Sequence, residues 1–316
     1  MPEQELRKRV IESANFNCVF GDKNEPLLAH FKDILYPALT ASNVIKYSNG
    51  YFNVEDIKIT EHPTLGYILT GVFVKQTELE ILSQRDEDTG KLIFTDQKYQ
   101  TAPYSIFAIL LKNHRMLFYK NQKGSPRLST FRKIVEDLVI KFLKEANRNV
   151  PYNDRLPSAH ITILRIPSHK SLREVFNNIK KIDSVEYKFL PLNGDNDFRG
   201  PFQAILNQLA ALDASSGNMR FNGPDNKNEV IEQIEGTRDL AQPKIHAFTN
   251  AGDKITLTEK EFAEKKIVEL PKDANRQNVT EALCHVAENY PALMETSNSN
   301  AELYRQKTDD IKSLMG

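Results

Sequence analysis

The chemistry open to this chain begins with its cations. Between Lys112 and Lys181 stand 16 Lys and Arg against 5 Asp and Glu, within 316 residues whose 42 basic and 42 acidic side chains otherwise cancel. Binding responds to the local field more than to the total, so a basic stripe on a neutral protein can still gather phosphate. The segment KNHRMLFYKNQKGSPR offers Lys112, His114, Arg115, Lys120, Lys123 and Arg127, with Phe118 and Tyr119 placed to stack on bases. Arg132, Lys133, Lys141 and Lys144 follow on a helical pattern, and Arg155, Arg165, Lys170, Arg173, Lys180 and Lys181 carry the charge onward. Contact with nucleic-acid phosphates is the expected chemistry, and a docking face for an acidic protein is the rival use of the same stripe. No zinc finger, RRM signature or KH clamp accompanies it, so sequence-specific readout is not expected.

A second candidate is His160 in SAHITILRI. Alternation on a strand points His160 and Thr162 to one face, where imidazole serves as general acid or base and a hydroxyl holds phosphate. The H-apolar-T-apolar run resembles the first motif of the two-histidine phosphoesterases, which act on cyclic phosphates or RNA ends. That resemblance implies a partner motif, and His246 in KIHAFT follows 86 residues later. Its threonine is Thr249, at +3 where the motif has +2, so on a regular strand it faces away from His246. The rival reading of both is an ordinary strand histidine.

These residues need elements to hold them. Apolar spacing predicts helices over residues 3–13 and 26–39. From residue 44 to 120, β-branched and aromatic runs separated by SNG, DEDTG and KNH turns predict a mostly antiparallel sheet. Residues 125–146 then carry Leu128, Phe131, Ile134, Val135, Leu138, Val139, Phe142 and Leu143 on one helical face. The polar stretch NRNVPYNDRLPS, with its two prolines, marks the expected boundary between domains 1–150 and 151–316. Beyond it HITILRI reads as a strand, SLREVFNNIKKI as a helix, VEYKFLPLN as a strand, residues 203–214 as a helix, NMRFNG as a strand and NEVIEQIEG as a helix. PKIHAFTNAG and KITLTEKEF make a hairpin, a helix covers 279–290, and a last one ends the chain. The expected class is α+β, the second lobe having a ferredoxin-like alternation.

Composition narrows the functions. Cys18 and Cys284 are far apart and lack zinc-ligand or disulfide-framework spacing, which suits a reducing cytoplasm. No metal site or cofactor is expected, since Walker, dinucleotide-binding glycine and HExxH patterns are missing. The first residues carry no apolar signal-peptide core, and the longest apolar run, 106–111, is too short to cross a bilayer.

PKIHAFTNAGDKITLTEKEF, followed by VTEALCHVAENY, resembles the end of the RexA-type phage-exclusion proteins and their relatives among bacterial antiphage proteins. The hairpin and helix of YSIFAILLKNHRMLFYKNQKGSPRLSTFRKIVEDLVI resemble that group's N-terminal half. The resemblance is one of layout and implies no catalytic residues. It implies a cytoplasmic homodimer that binds DNA, or protein–DNA complexes formed by phage, and signals to a separate effector. The expectation is therefore a non-enzymatic DNA-binding protein of antiphage defence. The phosphoesterase and the basic protein-docking module are its alternatives.

Overall fold

Residue types with strong β preference from both ends of the chain meet on one long strand. The computed structural model describes residues 5–190, 193, 202–212, 214, 216–237 and 241–315. It opens with β1 (Leu6–Phe20), followed by β2 (Glu25–Pro26), a short 3-10 and π-helical passage over 27–35, and α1 (Tyr36–Thr40). Then come β3 (Ile45–Tyr47), β4 (Gly50–His62), β5 (Gly66–Arg85), β6 (Leu92–Thr101), β7 (Tyr104–Leu110), β8 (Arg115–Lys120) and α2 (Leu128–Ala146). The next elements are β9 (Ala159–Arg165), α3 (His169–Asn177), β10 (Ile179–Phe189), α4 (Gln203–Ala211), β11 (Gly217–Asn222) and α5 (Lys227–Gly236). The chain closes with β12 (Ala241–Thr249), β13 (Lys254–Thr258), β14 (Lys265–Pro271), α6 (Arg276–Glu288), α7 (Pro291–Met294) and α8 (Asn298–Lys312). The protein is α+β.

Ten strands form the first sheet, ordered β14-β1-β8-β7-β5-β4-β3 with β2, β6 and β9 attached at its sides. Both faces of its centre are covered. Phe107, Ile109, Met116 and Phe118 pack beneath α2, while Ile106, Ala108, Leu110, Leu117 and Tyr119 pack beneath α6 and α7. This double burial is why β7 and β8 read as unbroken apolar runs instead of alternating ones. Phe131 of α2 sits at the middle of the larger core, with ring centroids of Phe107, Phe73 and Phe118 at 4.7, 5.3 and 5.8 Å.

Of the helix expected over residues 3–13, residues 3 and 4 lie outside the described residues, and 6–13 are instead the start of β1. Val10 and Ile11 suit a strand, and the segment finds ladders on both sides, Leu6–Glu12 against β14 and Ile11–Asn15 against β8. Pairing with segments distant in sequence overrides the local helical spacing. The helix expected over 26–39 is present only as the short 3-10, π and α turns. The SLREVFNNIKKI helix stops at Asn177, and its last residues already belong to β10.

The stretch at 147–158 is braced. Asn147 donates through Nδ2 to the Leu156 carbonyl at 2.9 Å and accepts from its N–H at 2.8 Å. Beyond it, β9 pairs with Ala14–Phe20 and β14 with Leu6–Glu12, so both lie end to end along one edge of β1. The first sheet thus draws strands from either side of residue 150. Residues 166–264 leave that edge and return to it through a neck, in which the Ser168 N–H donates to Phe262 O at 2.8 Å and the Glu264 N–H to Ile166 O at 2.7 Å.

Within this excursion lies the second sheet, ordered β11-β10-β12-β13, with its own core against α3, α4 and α5. β10 and β11, which α4 joins, are antiparallel neighbours, whereas a ferredoxin-like split βαβ unit sets its two helix-linked strands parallel with a third strand between them, so the ferredoxin-like order is not formed. The expected β12–β13 hairpin is formed. Among the described residues no helix is long and apolar enough to cross a membrane.

Candidate nucleic-acid interface

The basic segment is dealt out to four different fates by the sheet and helix that carry it. The β7–β8 turn is clamped by Asn113, whose Nδ2 donates to the carbonyls of Leu293 at 2.7 Å and Glu295 at 2.9 Å. That anchorage leaves Lys112 exposed and turns His114 inward, in the left-handed region at φ 59°. His114 is 1% exposed and its Nδ1 meets Asn193 Nδ2 at 2.9 Å. Burial, with Arg115 adding to it, lowers its pKa to about 3, so the imidazole is neutral and enclosed. His114 therefore cannot take part in phosphate contact.

Phe118 and Tyr119 are also interior, one on each face of the sheet, so neither is available to stack on a base. Doubly buried strands leave no room for a surface aromatic here.

A third group of cations is already engaged. Arg165 lies at the neck, its Nε 3.0 Å from Glu12 and its Nη1 3.8 Å from Glu259. Arg132 bonds Glu136 at 3.2 Å and reaches the Ile161 carbonyl at 3.4 Å, and Lys133 bonds Asp137 at 2.6 Å. The bond to Asp137 raises the Lys133 pKa. Arg155 donates to the Val150 carbonyl and lies over the Tyr152 ring. Arg173 donates to His169 Nε2 at 2.5 Å, while His169 Nδ1 bonds Glu235. Lys170 lies 3.9 Å from Glu174 at an exposed site. Arg115 lines a cleft of about 280 Å3 together with His169, Glu235 and Glu295.

Lys112, Lys141, Lys144, Arg148, Lys180 and Lys181 have no ion-pair partner among the described residues, but they are scattered along the chain, whereas three other cations lie close together in it. Lys120 ends β8, Lys123 lies in the β8–α2 connection and Arg127 is the N-cap residue of α2; all three are exposed. Among the described residues none of the three has an ion-pair partner. Their connection is fixed: the Gln122 N–H donates to Ser125 Oγ at 3.0 Å, Ser105 Oγ donates to the Pro126 carbonyl at 2.8 Å, and Gly124 takes φ 90°. The N-terminus of α2 has no side-chain cap and no acidic residue in its first turn. Its open N–H groups and positive dipole end add to the field of the three cations. Such an arrangement can hold an extended polyanion.

The two histidines stand on different sheets. His160 is exposed on β9 of the first sheet, where it pairs opposite Val19, whereas His246 is half-buried on β12 of the second, its Nδ1 3.0 Å from Thr256 Oγ1. Thr162 shares the His160 face, and its hydroxyl is buried without a hydrogen-bond partner among the described residues. The Thr249 hydroxyl accepts from the Asp253 N–H in the hairpin turn. No hydrogen bond or ion pair joins the two histidines among the described residues, nor do three or more His, Cys, Asp and Glu gather there as a metal would require.

One feature carries no clear signal in the sequence. The outer half of β5 and all of β6 form a two-stranded ribbon, in which Leu79 pairs opposite Tyr99, and Glu78 and Glu80 on the other face hold Lys98 at 3.3 and 2.9 Å. Its end exposes Leu82, Leu92 and, at 82%, Phe94. KLIFTD reads as a strand from its residue types, but whether anything lies against that strand is a tertiary matter. No protein-family model and no curated relative matches the chain.

Proposed function

We propose that this chain is a non-enzymatic DNA-binding protein that holds the phosphate backbone through Lys120, Lys123 and Arg127. The observation that carries this reading is the coincidence of three unpaired, exposed cations with an uncapped helix N-terminus on a braced connection. Lys112, exposed on the β7–β8 turn, lies at the opposite end of β8 from these three. Contacts of this type position a duplex without reading its sequence.

The likeness of layout to RexA-type proteins supports a place in bacterial antiphage defence, sensing phage DNA or protein–DNA complexes and signalling to a separate effector. The exposed ribbon supports self-association into a homodimer. An isolated two-stranded ribbon is marginal in water, and the apolar side chains at its end gain from being covered.

Fluorescence anisotropy with unrelated duplexes at two salt concentrations tests the DNA reading. Wild-type affinity falls steeply with salt, and reversal of all three residues to Glu flattens the log–log slope by about 0.9 for each phosphate that is no longer neutralised. Affinity and slope unchanged in the triple variant overturn the assignment.

A further inference from the structure

The two-stranded ribbon leaves the first sheet at the place where the basic cluster stands. From Thr77, opposite Thr101, to Arg85, opposite Leu92, β5 forms a ladder with β6 alone. At about 3.3 Å per residue this arm is about 30 Å long. At its root the Asn121 N–H donates to the Tyr104 carbonyl at 3.2 Å, and Ser105 pairs opposite Lys120. The connection that carries Lys123 and leads to the N-terminus of α2 therefore lies beside the root.

Strand alternation sorts the side chains of the arm. Leu69 and Phe73 of β5 belong to the core beneath α2, and Leu79 and Ile81 continue that face along the ribbon. Tyr99, Phe94 and Leu92 of β6 share it, because they pair opposite Leu79, Ser83 and Arg85. Leu79, Tyr99, Phe94 and Leu92 are all exposed. The reverse face holds the ion pairs of Lys98 with Glu78 and Glu80, and Leu82 and Ile93 nearer the tip. Phe118 also packs beneath α2, so Lys120, two residues on, projects to that same side of the sheet. The apolar face of the ribbon and the basic cluster thus look the same way.

The turn at the tip, residues 86–90, reads DEDTG and holds three acids and no base, with Arg85 and Lys91 behind it. The Thr89 hydroxyl and N–H both donate to Asp86 Oδ1 at 2.7 Å, which fixes the turn and holds that carboxyl below the usual carboxylate range. Glu87 and Asp88 are exposed and have no ion-pair partner among the described residues. An acidic tip repels nucleic acid and anionic lipid, which leaves a protein surface to cover the apolar face.

The geometry points to a second copy of this chain as that cover. Two ribbons pack antiparallel, apolar face on apolar face, so that residues 86–90 of each copy rest against Lys120, Lys123 and Arg127 of the other. A two-fold interface has to be complementary to itself. Here the antiparallel sense sets acidic tip on basic root twice, whereas a parallel pair sets acid on acid and cation on cation. The continuous ladder holds each turn away from its own root, so the contact forms between copies. The inference deepens the self-association reading given above and rests on it.

Sedimentation equilibrium of the full chain at low salt, up to about 0.1 mM, tests it. The wild-type chain is a dimer. Phe94→Glu, at a position that packs in no core, weakens the dimer at least about tenfold. Glu87→Lys with Asp88→Lys weakens it about tenfold, as does Lys123→Glu with Arg127→Glu, since each sets like charges together. All four changes in one chain restore the dimer to within about threefold of wild type. A dimer that Phe94→Glu leaves intact, or a fourfold variant no tighter than either pair, overturns this interface while self-association stands. A wild-type chain that stays monomeric overturns both.

Discussion

Replacing Arg165 with methionine is expected to destabilise the protein by about 3 kcal/mol, through the neck that joins the two sheets. The residue ends β9, opposite Ala14, and its guanidinium reaches Glu12 of β1 at 3.0 Å and Glu259, just past β13, at 3.8 Å. The three side chains are 11, 13 and 16% exposed, so solvent screens them little. Methionine fills much of the same volume but strands two carboxylates side by side without their cation. Breaking a buried pair by removing one partner costs about 3–5 kcal/mol, and the long second contact and residual exposure place this case at the low end. Urea unfolding of the purified variant reads the loss. Native-state hydrogen exchange should show it first in the amides of β12 and β13, because Glu259 ties the excursion to β1. A loss below about 1 kcal/mol, the worth of an exposed ion pair, refutes the argument that the neck is held electrostatically.

Phe131→Ala removes the ring that four other aromatic side chains contact in the larger core, and about 4 kcal/mol of stability should go with it in chemical denaturation. Gly71→Ala places a Cβ 2.6 Å from both Ile57 Cδ1 and Phe107 Cζ, so a loss of about 1–3 kcal/mol is expected, and Phe107→Leu in the same chain should recover part of it. His114 sets an acid limit. Its folded pKa is about 3 against an ordinary 6.5, so its contribution is complete above 6.5 and is lost as pH falls towards 3, when the unfolded chain takes up a proton that the folded one refuses. Stability should fall by about 1.4 kcal/mol per pH unit through that window from this group alone. His114→Asn, which tolerates the left-handed backbone, should remove that part of the slope in urea midpoints measured from pH 7 to 4, and an unchanged slope would contradict the assignment.

Elements whose signal is local are legible in the chain before any coordinates. The α2 face carries apolar residues at helical spacing, and those residues do form the buried side. The strands from residue 44 to 120 show themselves as β-branched and aromatic runs between turns, and the β12–β13 pair as two such runs around a short glycine-containing connection. Charge is legible as a sum along the chain: the excess of cations from Lys112 onward is a property of composition.

Which of those cations stay unpaired is settled by tertiary packing. Glu12 and Glu259 are far from Arg165 in the chain and meet it through strand register, while Lys120, Lys123 and Arg127 meet no acid among the described residues. The inward turn of His114 follows from the clamp that Asn113 makes with residues 293 and 295, and the burial of Phe118 and Tyr119 from the helices laid on both sheet faces. β1 is a strand because β8, β9 and β14 all pair with it, although its first half has helical spacing. Each of these outcomes rests on partners distant in sequence. Periodicity reports which face of an element is apolar, but register and packing choose what that face, and every charged side chain beside it, will touch.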